Sequence, residues 1–114
     1  MIKDRIIQIL DERERLWTEC QDEWDYGIEQ NHQRLIALVT EDINKSIEFL
    51  DNDCTAEQFS WLSEVFDEIA EITQNRAFID ALKRLAVKYP EETETYNILS
   101  FIESAESLIE EENS

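Results

Sequence analysis

TAEQFSWLSEVFDEIAEITQNRAFIDALKRLAVKYP, residues 55–90, is the stretch that decides the fold. Thr55 and Gln58 stand three apart at its head, where a hydroxyl and an amide can each satisfy a backbone N–H of the opening turn. Behind them Phe59, Leu62, Val65, Phe66, Ile69 and Ile72 recur at intervals of three and four, the spacing that lines one face of an α-helix. That helix reads through to about Gln74. Asn75 can cap the next one, in which Phe78, Ile79, Leu82, Leu85 and Tyr89 keep the rhythm to about Lys88. Pro90 suits the first turn of a further helix, with Glu91, Glu92 and Glu94 near its positive end. Two apolar stripes so closely joined need a shared core to hide in.

Outward from this stretch the same rhythm fills the chain. Residues 2–24 place Ile2, Ile6, Ile9, Leu10, Leu16, Trp17, Cys20 and Trp24 on one face. Gly27, the only glycine, reads as a helix break at positive φ. Residues 29–50 turn Leu35, Ile36, Val39, Ile43, Ile47 and Leu50 inward, and DNDCT comes next as a polar turn. After Pro90 the last helix packs through Ile98, Phe101, Ile102, Ala105, Leu108 and Ile109. With one Gly, one Pro and no alternating strand pattern, the reading is all-α. It is a compact bundle, or a short stack of helical hairpins, of about five antiparallel helices in one domain, residues 1–114.

Charge sets the terms for function. There are 28 acids against 10 bases, a formal net of −18. Such repulsion opposes compaction, yet 42 % apolar residues are too many for a disordered acidic tail. Nucleic acid and anionic membrane would both be repelled, so the expected partner is cationic. The charged opening MIKDRIIQILDERERL is no secretory signal, and two cysteines without local pairing fit a cytoplasmic protein with reduced thiols.

Chemical motifs are sparse. CQDEWDYGIEQNH, residues 20–32, gathers the only His with a Cys and four carboxylates. Glu29 and His32 have the E-x-x-H spacing of a di-iron helix, but that site needs a second such pair and the chain has no second His. No C-x-x-C supports zinc. Cys20 lies among Glu19, Asp22 and Glu23, which raise a thiol pKa and leave it a small hydrophobe. His32 falls on the apolar side of its helix and reads as a satisfied residue at the core edge. The expectation is therefore no catalytic residue, no metal, no cofactor and no enzyme. Arg13, in the middle of an apolar stripe, has two readings: a stem on the core with its head at an edge carboxylate, or, more rarely, a buried ion pair that fixes register.

The surface carries more. Glu57, Glu64, Asp67, Glu68 and Glu71 form a stripe opposite the apolar face of residues 55–74, with Trp61 among them. An aromatic flanked by carboxylates suits a protein interface, and equally a cap on the core. Tyr96 and Leu99 leave the apolar face of the last helix and join Glu103, Glu106 and Glu110. Asp22, Glu23, Asp25 and Tyr26 make a third acidic-aromatic cluster. Only residues 75–88 are basic, through Arg76, Lys83, Arg84 and Lys88, which could pair with neighbouring carboxylates or with a second copy.

The segment FSWLSEVFDEIAEITQNRAFIDALKRLAVKYPEE, residues 59–92, resembles small acidic helical immunity proteins of bacterial toxin systems, particularly those of contact-dependent growth inhibition. The resemblance implies a role, binding the effector domain of a cognate toxin and blocking it, and carries over no individual residue. A nuclease toxin, with the cationic cleft its substrate requires, fits the charge. Two further readings stay open: a nucleic-acid mimic that occupies a DNA- or RNA-binding protein, and a structural adaptor or weak homo-oligomer.

Overall fold

The computed structural model describes residues 2–20 and 26–110. Every regular element among them is helical: α1 (Ile2–Cys20), α2 (Tyr26–Glu41), α3 (Ile43–Asn52), α4 (Ala56–Leu62), a 3₁₀ turn (Ser63–Val65), α5 (Phe66–Thr73), α6 (Arg76–Lys88), α7 (Pro90–Thr95) and α8 (Ile98–Ser107). The all-α globule expected from the sequence is what forms. Its Cα radius of gyration is 13.6 Å, against about 13 Å for a compact chain of this length.

Local signals set many of the boundaries. Thr55 Oγ1 accepts from Gln58 N at 3.2 Å while Gln58 Oε1 accepts from Thr55 N at 3.0 Å, the capping box read from the sequence. Asn75 caps α6 by accepting from the Ala77 and Phe78 amides. Pro90 opens α7. Gln74 ends α5 in the left-handed region, φ 49°, at a cost of about 1–2 kcal/mol for a residue with a Cβ. Its side chain answers that cost by donating to the Leu108 carbonyl (2.9 Å) and accepting from the Glu110 amide (2.6 Å), so the ends of α5 and α8 are tied together.

Three helices expected to be continuous are broken. Asp42 interrupts the second, accepting from Lys45 N at 3.2 Å, and Ser46 Oγ donates across the break to the Val39 carbonyl. Ser63–Val65 tightens the third into 3₁₀ geometry, and Tyr96 with Asn97 (φ 52°) separates α7 from α8. Gly27 does the opposite: it lies inside α2, and no glycine among the described residues has positive φ. The break assigned to it therefore does not occur there. Trp24 lies outside the described residues.

Phe59, Phe66 and Phe78 form the centre, with ring centroids 5.8 Å apart for the first pair and 6.3 Å, edge to face, for the second. Ile6 and Leu10 of α1, Leu35 and Val39 of α2, Phe49 and Leu50 of α3, Leu82 and Leu85 of α6, and Ile98 and Ile102 of α8 pack around them. Cys54 is buried here as a free thiol, and burial pushes its pKa up to about 12 despite the opposing pull of Lys88. Three residues expected on an inner face are exposed: Trp17 at 45 %, set against Trp61 at the edge, Ile72 at 59 % and Phe101 at 42 %. The buried line of α5 is Phe66, Ile69 and Ala70, and Ile72 lies roughly 110° round the helix from its centre. Phe101 obeys the new start of α8, whose inner line is Ile98, Ile102 and Ala105.

Candidate functional site

The acidic stripe does not stay together on one surface. Glu64 sits in the 3₁₀ turn and faces inward, where both carboxylate oxygens accept from Arg13, Nε to Oε1 and Nη2 to Oε2, each at 2.7 Å. His32 Nε2 lies 3.0 Å from the same Oε1. Arg13 is 3 % exposed. The guanidinium is buried and paired, as in the rarer of its two readings, while its partner is the edge carboxylate of the commoner one, with 29 % of the Glu64 side chain exposed. Burial opposes the charged form of Glu64, but the hydrogen bonds and charges of His32 and Arg13 outweigh it and hold the carboxyl below the usual range. His32 is the satisfied edge-of-core residue anticipated.

Trp61 roofs this pair. The Arg13 guanidinium carbon lies 4.7 Å from its ring centroid and 6.0 Å from that of Trp17, and the two indoles are 6.3 Å apart. Cation–π attraction is strongest where the cation is desolvated, as here. Trp61 is half-buried against the core, as a cap on it would be. Glu64 is corrected more sharply, since an ion-paired carboxylate facing inward is not an exposed recognition group.

The other candidates divide. Glu57, Glu68 and Glu71 are exposed. Across the contact between α1 and α4, hydrogen bonding and like charge from Glu57 raise the Glu14 pKa. Asp67 is half-buried and accepts from Ser104 Oγ at 3.0 Å, bridging α5 to α8. Tyr96, Leu99 and Glu103 are exposed. Glu106 is held by Arg76 (2.5 Å) and Lys83 (3.0 Å), whose hydrogen bonds, Lys83 first, lower its pKa. Asp22, Glu23 and Asp25 lie outside the described residues, and Tyr26 opens α2.

The basic helix is spent internally. Arg84 forms a two-pronged bond to Asp51, 3.0 Å in each arm, and Lys88 lies 5.3 Å over the Tyr89 ring. Elsewhere Lys3 meets Asp53 at 3.6 Å, Arg5 meets Glu41 at 4.0 Å, and Arg34 bonds Glu12. The surface that remains is dominated by carboxylates.

Sequence reasoning passed over one feature of that surface. Ala86, Val87, Pro90 and Leu99 line an open groove of about 560 Å³ where α6, α7 and the start of α8 meet. Val87 is 82 % exposed. Its signal was present in the sequence: an aliphatic residue off the apolar arc of an otherwise charged helical face.

Glu29 and His32 do not converge on a common point. Glu29 is exposed beside Gln33, while His32 turns to Glu64. Among the described residues no group of three or more His, Cys, Asp or Glu is gathered as a metal site would require. No helix of these residues is long and apolar enough to cross a membrane. No family model, curated protein or solved structure matches the chain.

Proposed function

We propose that this chain is an immunity-type inhibitor, a cytoplasmic helical body that binds a cationic toxin domain, a nuclease by preference, and blocks it without chemistry of its own. One observation carries the reading. Lys3, Arg13, Arg34, Arg76, Lys83 and Arg84 are all engaged by carboxylates of the same chain, whereas Glu57, Glu68, Glu71, Glu91, Glu94 and Glu103 stand exposed. Among the described residues the charge left facing water is therefore predominantly negative.

A field of that sign draws a cationic cleft in fast. Steered association reaches about 10⁸–10⁹ M⁻¹s⁻¹ at low salt, against about 10⁵–10⁶ without steering. Speed matters to an inhibitor, because each uncaptured toxin molecule keeps turning over. Retention needs desolvated apolar contacts as well, since exposed charge pairs are screened.

The test is co-expression with the toxin region of the reading frame immediately upstream. Restored growth is expected, with stopped-flow association that slows steeply between 50 mM and 500 mM salt. Absence of both rescue and binding overturns the reading. Release of the bound protein by duplex DNA, with no toxin neutralised, favours the nucleic-acid mimic instead.

A further inference from the structure

The groove beside α7 has three properties that together define an occupant. Its walls are aliphatic, and Val87, at 82 % exposure, and Leu99, at 48 %, leave apolar surface in water there. Its rim is acidic: Glu94 borders it, Glu91 precedes Glu94 by one turn of α7, and Glu103 lies one turn of α8 beyond Leu99, all exposed. The one cation on the rim, Lys83, has its ammonium 3.0 Å from Glu106, so its charge is answered within the chain. Asn97, in the left-handed region at φ 52°, separates α7 from α8 and itself borders the groove.

Resting on the reading of the chain as an inhibitor of a cationic protein, we propose that this groove seats an aliphatic side chain that the partner presents between Lys or Arg residues. Charge complementarity selects that occupant. A second copy of this chain brings the same net −18 and is repelled by the rim, as are nucleic acid and an anionic bilayer. A purely cationic surface without an apolar projection leaves the groove walls in water. The division of labour is the usual one, with apolar contacts at the centre and charges around them.

The experiment titrates isotopically labelled protein with a short helical peptide of Lys and Leu at helical spacing, and with a partner peptide in which Ser replaces every Leu at unchanged charge. Amide shifts centred on Val87, Asn97 and Leu99 are expected, with the Leu peptide binding at least about tenfold tighter than the Ser peptide. The doubly substituted chain V87S/L99S should lose that difference and keep the weak affinity for the Ser peptide. Both side chains are exposed, so its thermal unfolding should match the parent. Equal affinities, or shifts centred on Glu57, Glu68 and Glu71, overturn the proposal. If the groove behaves as expected but the chain fails to neutralise the upstream toxin, the immunity reading falls and the groove stands. If V87S/L99S neutralises the toxin with unchanged affinity, the groove falls and the immunity reading stands.

Discussion

Arg13 shows how one residue can be anomalous in sequence and necessary in structure. Its cation is taken out of water and offset by Glu64 in two-pronged geometry, by the face of Trp61 and, farther off, by that of Trp17. Its Nη1 has no hydrogen-bond partner among the described residues. Removing one member of a buried pair leaves the other charged and unpaired, which costs about 3–5 kcal/mol. Glu64 retains some solvent contact, so Glu64→Ala should cost about 3 kcal/mol, the low end of that range. Replacing both partners by apolar side chains removes the desolvation cost together with the bond. The double variant R13M/E64L should therefore recover to within about 1 kcal/mol of the parent. Urea unfolding at constant m-value measures both. Equal losses in the single and double variants would mean that Arg13 contributes packing alone.

At the scale of the element, capping chemistry matters most where the helix is short. α4 has only seven residues, and its first turn is fixed by the reciprocal bonds of Thr55 and Gln58. Thr55→Ala removes one of them and should cost about 1 kcal/mol. Thermal unfolding should show this as a fall in Tm of roughly 4 °C. An unchanged Tm would place the stability of α4 wholly in Phe59 and Leu62. The capping box was legible because it is a local pattern, and so were the Asn75 cap and the Pro90 start. The breaks at Asp42 and at Ser63–Val65 were not. Val39, Ile43 and Ile47 keep their four-residue spacing straight through the first, so hydrophobic period cannot register it. Leu62, Val65 and Phe66 stay buried through the 3₁₀ turn, so the apolar spacing does not register it either, while Glu64 among them meets Arg13 of α1. The candidate surface divides along the same line. Tyr96, Leu99 and Glu103 were readable from their departure from an apolar face, whereas the fate of Glu64 depended on Arg13 of α1 and His32 of α2. Glu106 depended on cations from another helix, which spacing within its own helix could not reveal.

At the scale of the molecule, the surface carboxylates act against the fold they cover, and pH and salt separate the opposing terms. The Glu14 pKa is raised in the folded state, so its contribution is present below the ordinary carboxylate value and is lost as pH rises through the folded one. Glu64 and Glu106 have depressed folded pKa values, so theirs is present above the ordinary value and lost as pH falls through the folded ones. Descending from pH 7, the chain first gains from Glu14 and from partial relief of repulsion, then loses the Glu64 and Glu106 pairs. The urea midpoint at low salt should therefore rise to a maximum at about pH 5 and fall below about pH 4. Glu14→Gln should flatten the rise without moving the fall. Added salt screens repulsion over many pairs and weakens a few exposed ion pairs, each worth at most about 1 kcal/mol. It should thus raise the midpoint at pH 7, and by more there than at pH 5; a midpoint that falls with salt at pH 7 would mean that pairs such as Arg84 with Asp51 outweigh the net −18. A cationic protein docked on the acidic faces relieves the same repulsion without dilution into bulk ions. Its binding should therefore stabilise the chain most under the low-salt, neutral conditions where the free chain is weakest.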